Sequence, residues 1–260
     1  MKTIPRIAVN EMKVTIIINP AYEYLRGFIE SLPVRFENEG ETIYASRNII
    51  KVMSADGLEL NVKRYGIPAF FNRIIYSLFR TPKGKRAYIY PQRLLSKGFE
   101  TPTPVAYIEQ KVGGVIGHSY FISLQVPYRR KFYEFGDADV NTCRDIVIAF
   151  ARYTAALHEA GIMHKDYSPG NILFDELDGV WHFSLVDINR MYFGEVSVKK
   201  GCANFARLWG QKAFFTLLAQ EYAIARGADR EQCVEWVLAY RKRFWKAFQR
   251  RHSFGFHLDL

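Results

Sequence analysis

At 260 residues the chain is long enough for one large domain or two small lobes with a real core. Hydrophobic residues make up 49% and charged residues 24%, an ordinary globular balance that excludes a disordered chain. Lysine and arginine outnumber aspartate and glutamate by 36 to 26, a formal net charge of +10, which predicts attraction to polyanions without selecting among nucleic acid, nucleotide phosphates and an anionic membrane surface.

The cysteines, Cys143, Cys202 and Cys233, are scattered and odd in number, and none forms a CxxC pair. Neither a zinc site nor a disulfide framework is suggested; buried or idle thiols in a reducing compartment are expected. Lys2, Arg6, Glu11 and Lys13 interrupt the N-terminal stretch, which therefore lacks a signal-peptide core, and either Met1 or Met12 could open the chain. No apolar run approaches the roughly 20 residues of a membrane span. A cytoplasmic protein is expected.

In chain order, residues 41–53 and 58–65 read as strands joined by a turn at Ala55-Asp56-Gly57, with one or two helices in the same half. Leu58, Leu60 and Val62 alternate with Glu59, Asn61 and Lys63, so one face is apolar and Lys63 lies on the other. A basic stretch at 80–86 leads into a short helix ending near Lys97-Gly98. Thr101-Pro102-Thr103-Pro104 is a stiff extended connector, and residues 105–110 and 119–125 are strands flanking a Gly113-Gly114 turn.

The second half turns helical. Thr142, with Asp145 three residues on, predicts a capping box, and Ile146, Phe150, Tyr153 and Leu157 recur at helical spacing until Gly161. A hairpin follows, residues 172–174 and 180–186 about a turn at Asp178-Gly179, and helices over 205–226 and 230–251 close the chain. Strands followed by helices predict an α+β chain in two lobes, residues 1–125 and 126–260.

Between the first of these helices and the hairpin lies His164-Lys165-Asp166-Tyr167-Ser168-Pro169-Gly170-Asn171, and the hairpin's far strand ends in Val186-Asp187-Ile188-Asn189. This is the H-x-D-x-x-x-x-N spacing of a kinase-type catalytic loop with a second aspartate across a hairpin. Asp166 would accept or orient a substrate hydroxyl; Asn171 from the loop and Asp187 from the opposite strand would bind magnesium. His164 is expected to brace the loop. One Asp or Asn in a loop is usually a turn former, but this set in this order is specific. Lys63 is the candidate for the nucleotide's α and β phosphates. Gly40 marks the position of a phosphate-covering loop, although the acids of Glu37-Asn38-Glu39-Gly40-Glu41 oppose phosphate.

These motifs, with Ser46-Arg47-Asn48, Val62-Lys63-Arg64-Tyr65 and residues 98–104, resemble the lipopolysaccharide core kinases, the Kdo kinase and WaaP group of the protein-kinase-like superfamily, from about residue 35 onward. The resemblance implies a two-lobed kinase-like fold with a strand-rich N-lobe and a helical C-lobe. It also implies ATP- and Mg2+-dependent phosphorylation of a sugar hydroxyl, of 3-deoxy-D-manno-octulosonic acid (Kdo) or heptose, in a lipid A-linked core oligosaccharide at the inner face of the cytoplasmic membrane. An anionic membrane surface is a further candidate contact, and nucleic acid is not expected as a partner. No Ala-Pro-Glu follows Asp187, so the peptide-docking segment of protein kinases is absent. The final helix carries Lys242, Arg243, Lys246, Arg250 and Arg251 among Phe244, Trp245 and Phe248, and reads either as a membrane-surface helix or as an ordinary helix with buried aromatics.

The pattern is broken in the helix at residues 85–95, which has no acid: Ile89 stands where a glutamate should pair with the lysine, and Pro91 would kink or begin the helix. Glu109 or a carboxylate of residues 37–41 would then supply the pair, or Lys63 is poorly placed. The alternative readings are therefore a pseudokinase binding module and a small kinase for another acceptor, such as RNA or an aminoglycoside.

Overall fold

The computed structural model describes residues 12–67, 69, 81–252 and 258–260; Arg80, at the head of the expected basic stretch, lies outside them. The chain divides into two units, Met1–Gln92 with Pro102–Gln125 and Arg93–Thr101 with Val126–Leu260.

The first unit is built on a six-stranded antiparallel sheet in the order β1-β5-β6-β4-β3-β2. Its strands are β1 (Met12–Ile18), β2 (Glu41–Ala45), β3 (Ile49–Ala55), β4 (Leu58–Tyr65), β5 (Pro104–Val112) and β6 (Val115–Leu124). Helix α1 (Arg26–Arg35) buries Ile29 and Leu32, one turn apart on one face, against Leu60, Val62, Ile108 and Ile122 of the sheet. Each of these side chains is fully buried, so truncating one, Ile122→Ala for example, costs about 2–5 kcal/mol. The run expected over 41–53 is two strands: Ser46-Arg47-Asn48 reverses the chain, closed by the Ser46 N–H donating to the Asn48 carbonyl at 3.0 Å. Strand β1 pairs with β5 from Met12↔Val112 to Ile18↔Ala106 and was not among the expected elements; the β-branched run from Val14 to Ile18 is its signal.

Helix α2 (Lys83–Leu95) runs through Pro91 rather than starting at it, at the cost of one backbone hydrogen bond. Its second residue is Gly84, where a Cβ would stand 2.7 Å from the ring of Tyr107, so only glycine allows the approach. The stretch after it goes with the second unit because its backbone joins that unit. The Glu100 carbonyl accepts the Leu185 N–H at 3.0 Å, the Thr101 hydroxyl donates to the Leu185 carbonyl at 2.7 Å, and Lys97 Nζ donates to the Ala160 carbonyl at 2.6 Å.

In the second unit α3 (Arg144–Glu159), α4 (Val198–Asn204), α5 (Lys212–Ala225) and α6 (Arg230–Gln249) supply the helices. Short strands carry the loops between them: β7 (Arg130–Lys131), β8 (Ile162–His164), β9 (Ile172–Leu177), β10 (Val180–Leu185) and β11 (Met191–Phe193). Phe132, Phe150, Phe174 and Phe183 form an aromatic core under the β9–β10 hairpin, with Phe132 and Phe150 centroids 4.1 Å apart. Thr142 does not cap α3. Its hydroxyl donates to the Asp139 carbonyl at 2.8 Å in the preceding turn, and Cys143 occupies the cap position without a side-chain bond to the helix N-terminus. The single helix expected over 205–226 is interrupted at Gly210 (φ +151°), ahead of α5. The three cysteines are free and buried. Among the described residues no helix is long and apolar enough to cross a membrane.

Candidate functional site

Strands β8 and β11 pair antiparallel, with His164 opposite Met191, and this two-stranded ribbon fixes the start of the loop that follows His164. The Lys165 N–H donates to the Arg190 carbonyl at 2.8 Å. His164 is fully buried and both ring nitrogens are spent on the backbone. Nδ1 accepts the Asp166 N–H at 3.0 Å, so Nε2 carries the proton and donates to the Val186 carbonyl at 3.1 Å. Burial pushes its pKa down, which keeps the ring neutral, as this pair of bonds requires. The ring braces the loop and has no nitrogen left for a substrate.

Asn171 closes the loop from the other end. Its Nδ2 donates to the Asp166 carbonyl at 2.8 Å and its own carbonyl accepts the Val186 N–H at 3.0 Å. Because β9 and β10 pair as Ile172↔Leu185, the hairpin sets Asn171 beside Val186 and hence next to Asp187 in the chain. With its amide nitrogen committed, the Asn171 Oδ1 is the atom left to meet a cation. Asp187 sits in the left-handed region at φ +54°, is exposed, and accepts from Asn189 Nδ2 at 2.5 Å. An asparagine oxygen and a carboxylate are the hard donors magnesium takes. Two protein ligands are enough where phosphate oxygens and water complete an octahedron. Among the described residues no group of three His, Cys, Asp or Glu could hold a metal by itself.

Several residues that spacing did not single out hold the loop from inside the unit. Tyr167, fully buried, stacks on Phe150 of α3 at 5.6 Å and bonds its hydroxyl to Thr154 at 2.8 Å. Asn204, at the end of α4, donates Nδ2 to the His164 carbonyl at 2.9 Å. Its Oδ1 faces His158 Nε2 at 3.1 Å, and His158 Nδ1 faces the Tyr222 hydroxyl at 2.9 Å. Burial pushes the His158 pKa down to about 4, which keeps the ring neutral, with Nε2 donating to the Asn204 oxygen. Gly201 makes room for the relay: a Cβ there would be 1.9 Å from the Tyr222 hydroxyl. Asp166 is flanked by Arg207 at 2.9 Å and Arg190 at 3.4 Å.

Lys63 and Gly40 belong to the first unit. Lys63 lies on β4 between Ile50 and Phe121, half-buried, with Nζ 5.2 Å from the Tyr65 ring centroid. Of the acids considered as its partner, Glu109 accepts from the Tyr107 hydroxyl at 2.7 Å and pairs with Lys111 at 3.4 Å. Glu37 pairs with Arg64, and Glu39 with Arg35 at 2.7 Å. Gly40 has φ +79° and a Cβ there would stand 2.6 Å from Met53 Cγ, so the turn into β2 itself requires glycine. Lys51 Nζ, reaching the Glu37 and Glu39 carbonyls at 3.2 and 2.9 Å, ties this turn down.

A strand-rich unit followed by a helical one, with Asp, Asn and Asp ordered along a loop and hairpin, defines a kinase-type chain. The chain belongs to the lipopolysaccharide kinase (Kdo/WaaP) family, whose model matches residues 69–216. Membership implies phosphotransferase activity, with ATP use and a divalent metal typical of kinases. Among solved structures, WaaP in complex with acyl carrier protein is similar over 92% of this chain and 100% of that one, with a TM-score of 0.59 at 17% identity, and supports the fold. A kinase domain of Mycobacterium tuberculosis PknI is similar over 73% of this chain and 75% of that one, at 14% identity and a TM-score of 0.37. None of the curated proteins compared with the chain matches it.

Proposed function

We propose that this protein transfers the γ-phosphoryl group of ATP, with Mg2+, to a hydroxyl of Kdo or heptose in the lipid A-linked inner core, working at the inner face of the cytoplasmic membrane. The observation that carries the reading is the loop from His164 to Asn171. Its aspartate is held by backbone bonds from both ends of the loop, in a chain of the lipopolysaccharide kinase family.

In this reading Asp166 is the catalytic residue. It takes the acceptor hydroxyl's proton as the new O–P bond forms and the bond to the departing nucleoside diphosphate breaks. Asn171 Oδ1 and the Asp187 carboxylate hold the metal, whose chemistry is to neutralise charge on the phosphate oxygens. Lys63 takes the α and β phosphates. Gly40 shapes the turn expected to cover them, and His164 positions the loop. Helix α2 carries no acid, and Glu37, Glu39 and Glu109 each engage another group. By likeness to the WaaP complex, an acyl carrier protein is a candidate partner, tested by co-purification.

The reading is tested by mass spectrometry of core oligosaccharide from cells with and without the gene, together with phosphotransfer in vitro to Kdo-bearing lipid A. A phosphate lost with the gene, and transfer abolished by Asp166→Ala, are expected. An unchanged phosphate count sinks the acceptor assignment, and a folded protein without transfer to any acceptor makes it a binding module.

A further inference from the structure

Asp166 has a positive surplus around it. Arg207 lies 2.9 Å from Oδ1 and Arg190 3.4 Å from Oδ2, so two guanidiniums face one carboxylate where the acceptor hydroxyl must arrive. They come from separate elements: Arg190 closes the turn after Asp187, and Arg207 ends the short 3-10 turn that follows α4. Neither is needed to hold the loop, because Asp166 is already fixed through its N–H by His164 and through its carbonyl by Asn171. Their side chains are 56% and 42% exposed, so these ion pairs contribute little and exchange readily for another anion. The carboxylate also has lone pairs beyond those two contacts for a hydroxyl.

The neighbourhood repeats the sign. Lys165, next in the chain, is exposed and reaches the Tyr192 ring at 5.8 Å, and Lys200 Nζ sits 3.3 Å above the same ring. Arg207 is backed by Phe244, its guanidinium carbon 5.3 Å from the ring centroid, which directs the fork without neutralising it. A planar guanidinium fork matches a carboxylate or phosphate, whereas neutral sugar hydroxyls are held as well by amides and carboxylates.

We propose that Arg190 and Arg207 form an anion subsite beside Asp166, which selects an acceptor bearing a carboxylate or a phosphate next to the hydroxyl to be phosphorylated. The proposal rests on the kinase reading and names its acceptor class: a sugar acid or a phosphorylated sugar, in place of a neutral one. On binding, the acceptor's anion takes the guanidiniums over from Asp166 and leaves that carboxylate open to the hydroxyl.

The test uses the full chain with ATP, Mg2+ and core-lipid acceptors in three forms: intact, with sugar carboxyls reduced to alcohols, and with phosphates removed. One of the two altered acceptors is expected to show an acceptor KM raised about ten- to hundredfold, the worth of a charged hydrogen bond, and which one it is identifies the anion. Arg207→Gln and Arg190→Gln are expected to raise KM on the intact acceptor and to erase the difference between it and the altered form, with KM for ATP unmoved; Arg207→Lys recovers part of the affinity. Equal use of all three acceptors by the unaltered chain overturns the subsite and leaves the kinase reading standing. So does a uniform loss of kcat in the glutamine variants with the acceptor preference intact, which would make the arginines braces for Asp166. Transfer to none of the acceptors overturns both.

Discussion

Asp166 and its two backbone anchors set the most direct expectation at the scale of single residues. Asp166→Asn preserves shape and the bonds from His164 and Asn171 but removes the proton acceptor, so kcat should fall by about 100-fold or more while nucleotide affinity stays. Single-turnover transfer checks it, and an undiminished rate would remove Asp166 from the chemistry. Asp187→Ala should abolish the magnesium dependence of nucleotide binding, read by titration calorimetry with and without the metal; an unaltered affinity would refute the metal assignment. Legibility at this scale followed chain distance. Asp166, Asn171 and Asp187 stand at fixed offsets around one loop and hairpin, so spacing alone singled them out as candidates. Arg207 reaches Asp166 from a turn after α4, and Asn204 reaches His164 from that helix's last residue; both are placed by tertiary packing that no local pattern encodes.

Elements are joined to the loop by a buried polar relay, and its proton state links stability to pH. His158 titrates near 6.5 in an unfolded chain and is pushed down to about 4 in the fold. The unfolded chain therefore binds more protons between those values. This contribution is fully present above about pH 6.5, is lost as pH falls toward 4, and amounts to at most about 3 kcal/mol. His164, lowered by its own burial, acts in the same direction. Urea midpoints should drop between pH 7 and pH 5, and the drop should be smaller in His158→Gln; a flat profile would show that neither ring is held neutral. Tyr167→Phe, which removes one buried hydroxyl partner of Thr154, should cost about 1–2 kcal/mol in the same titration. Helix and hairpin existence was readable from periodicity, whereas boundaries were not. Thr142 is a good capping residue by type, yet its hydroxyl is taken by the Asp139 carbonyl, and Gly210 divides a stretch whose apolar spacing continues on both sides.

Across the molecule, the charge of +10 gathers in part on α6. Lys242, Arg243 and Lys246 are exposed on that helix, Arg250 and Arg251 just beyond it, while Trp245 is 2% exposed and Phe244 and Phe248 are half-buried. The aromatics thus belong to the fold, and the sequence's second reading of this segment is the better one. Contact with an anionic surface would then be electrostatic alone. Binding to anionic vesicles should weaken steeply between 0.05 and 0.5 M salt, roughly as the screening length shortens, without a blue shift of tryptophan emission. A salt-resistant, blue-shifted signal would mean that aromatics insert, and tighter binding to tRNA than to vesicles would favour an RNA acceptor. The α+β class was legible from the order of strands and helices, because that order is a whole-chain property that survives errors at individual ends.

Gly201 carries a consequence for genetics. Loss-of-function alleles of an enzyme are commonly sought among residues that meet substrate, yet the smallest possible side-chain addition here, one methyl group on α4, collides with the Tyr222 hydroxyl and comes within 2.8 Å of His158. Gly201→Ala should therefore behave as an inactivating allele while the acceptor and nucleotide contacts stay unmutated. Tyr222→Phe removes the nearest obstruction but leaves the ring carbon Cζ and His158 Nδ1 at 2.8 Å, so it should suppress the defect only in part. Screening random mutants of the gene for phosphate loss from the core, then for revertants, would map the support of the loop as surely as mutating the loop itself.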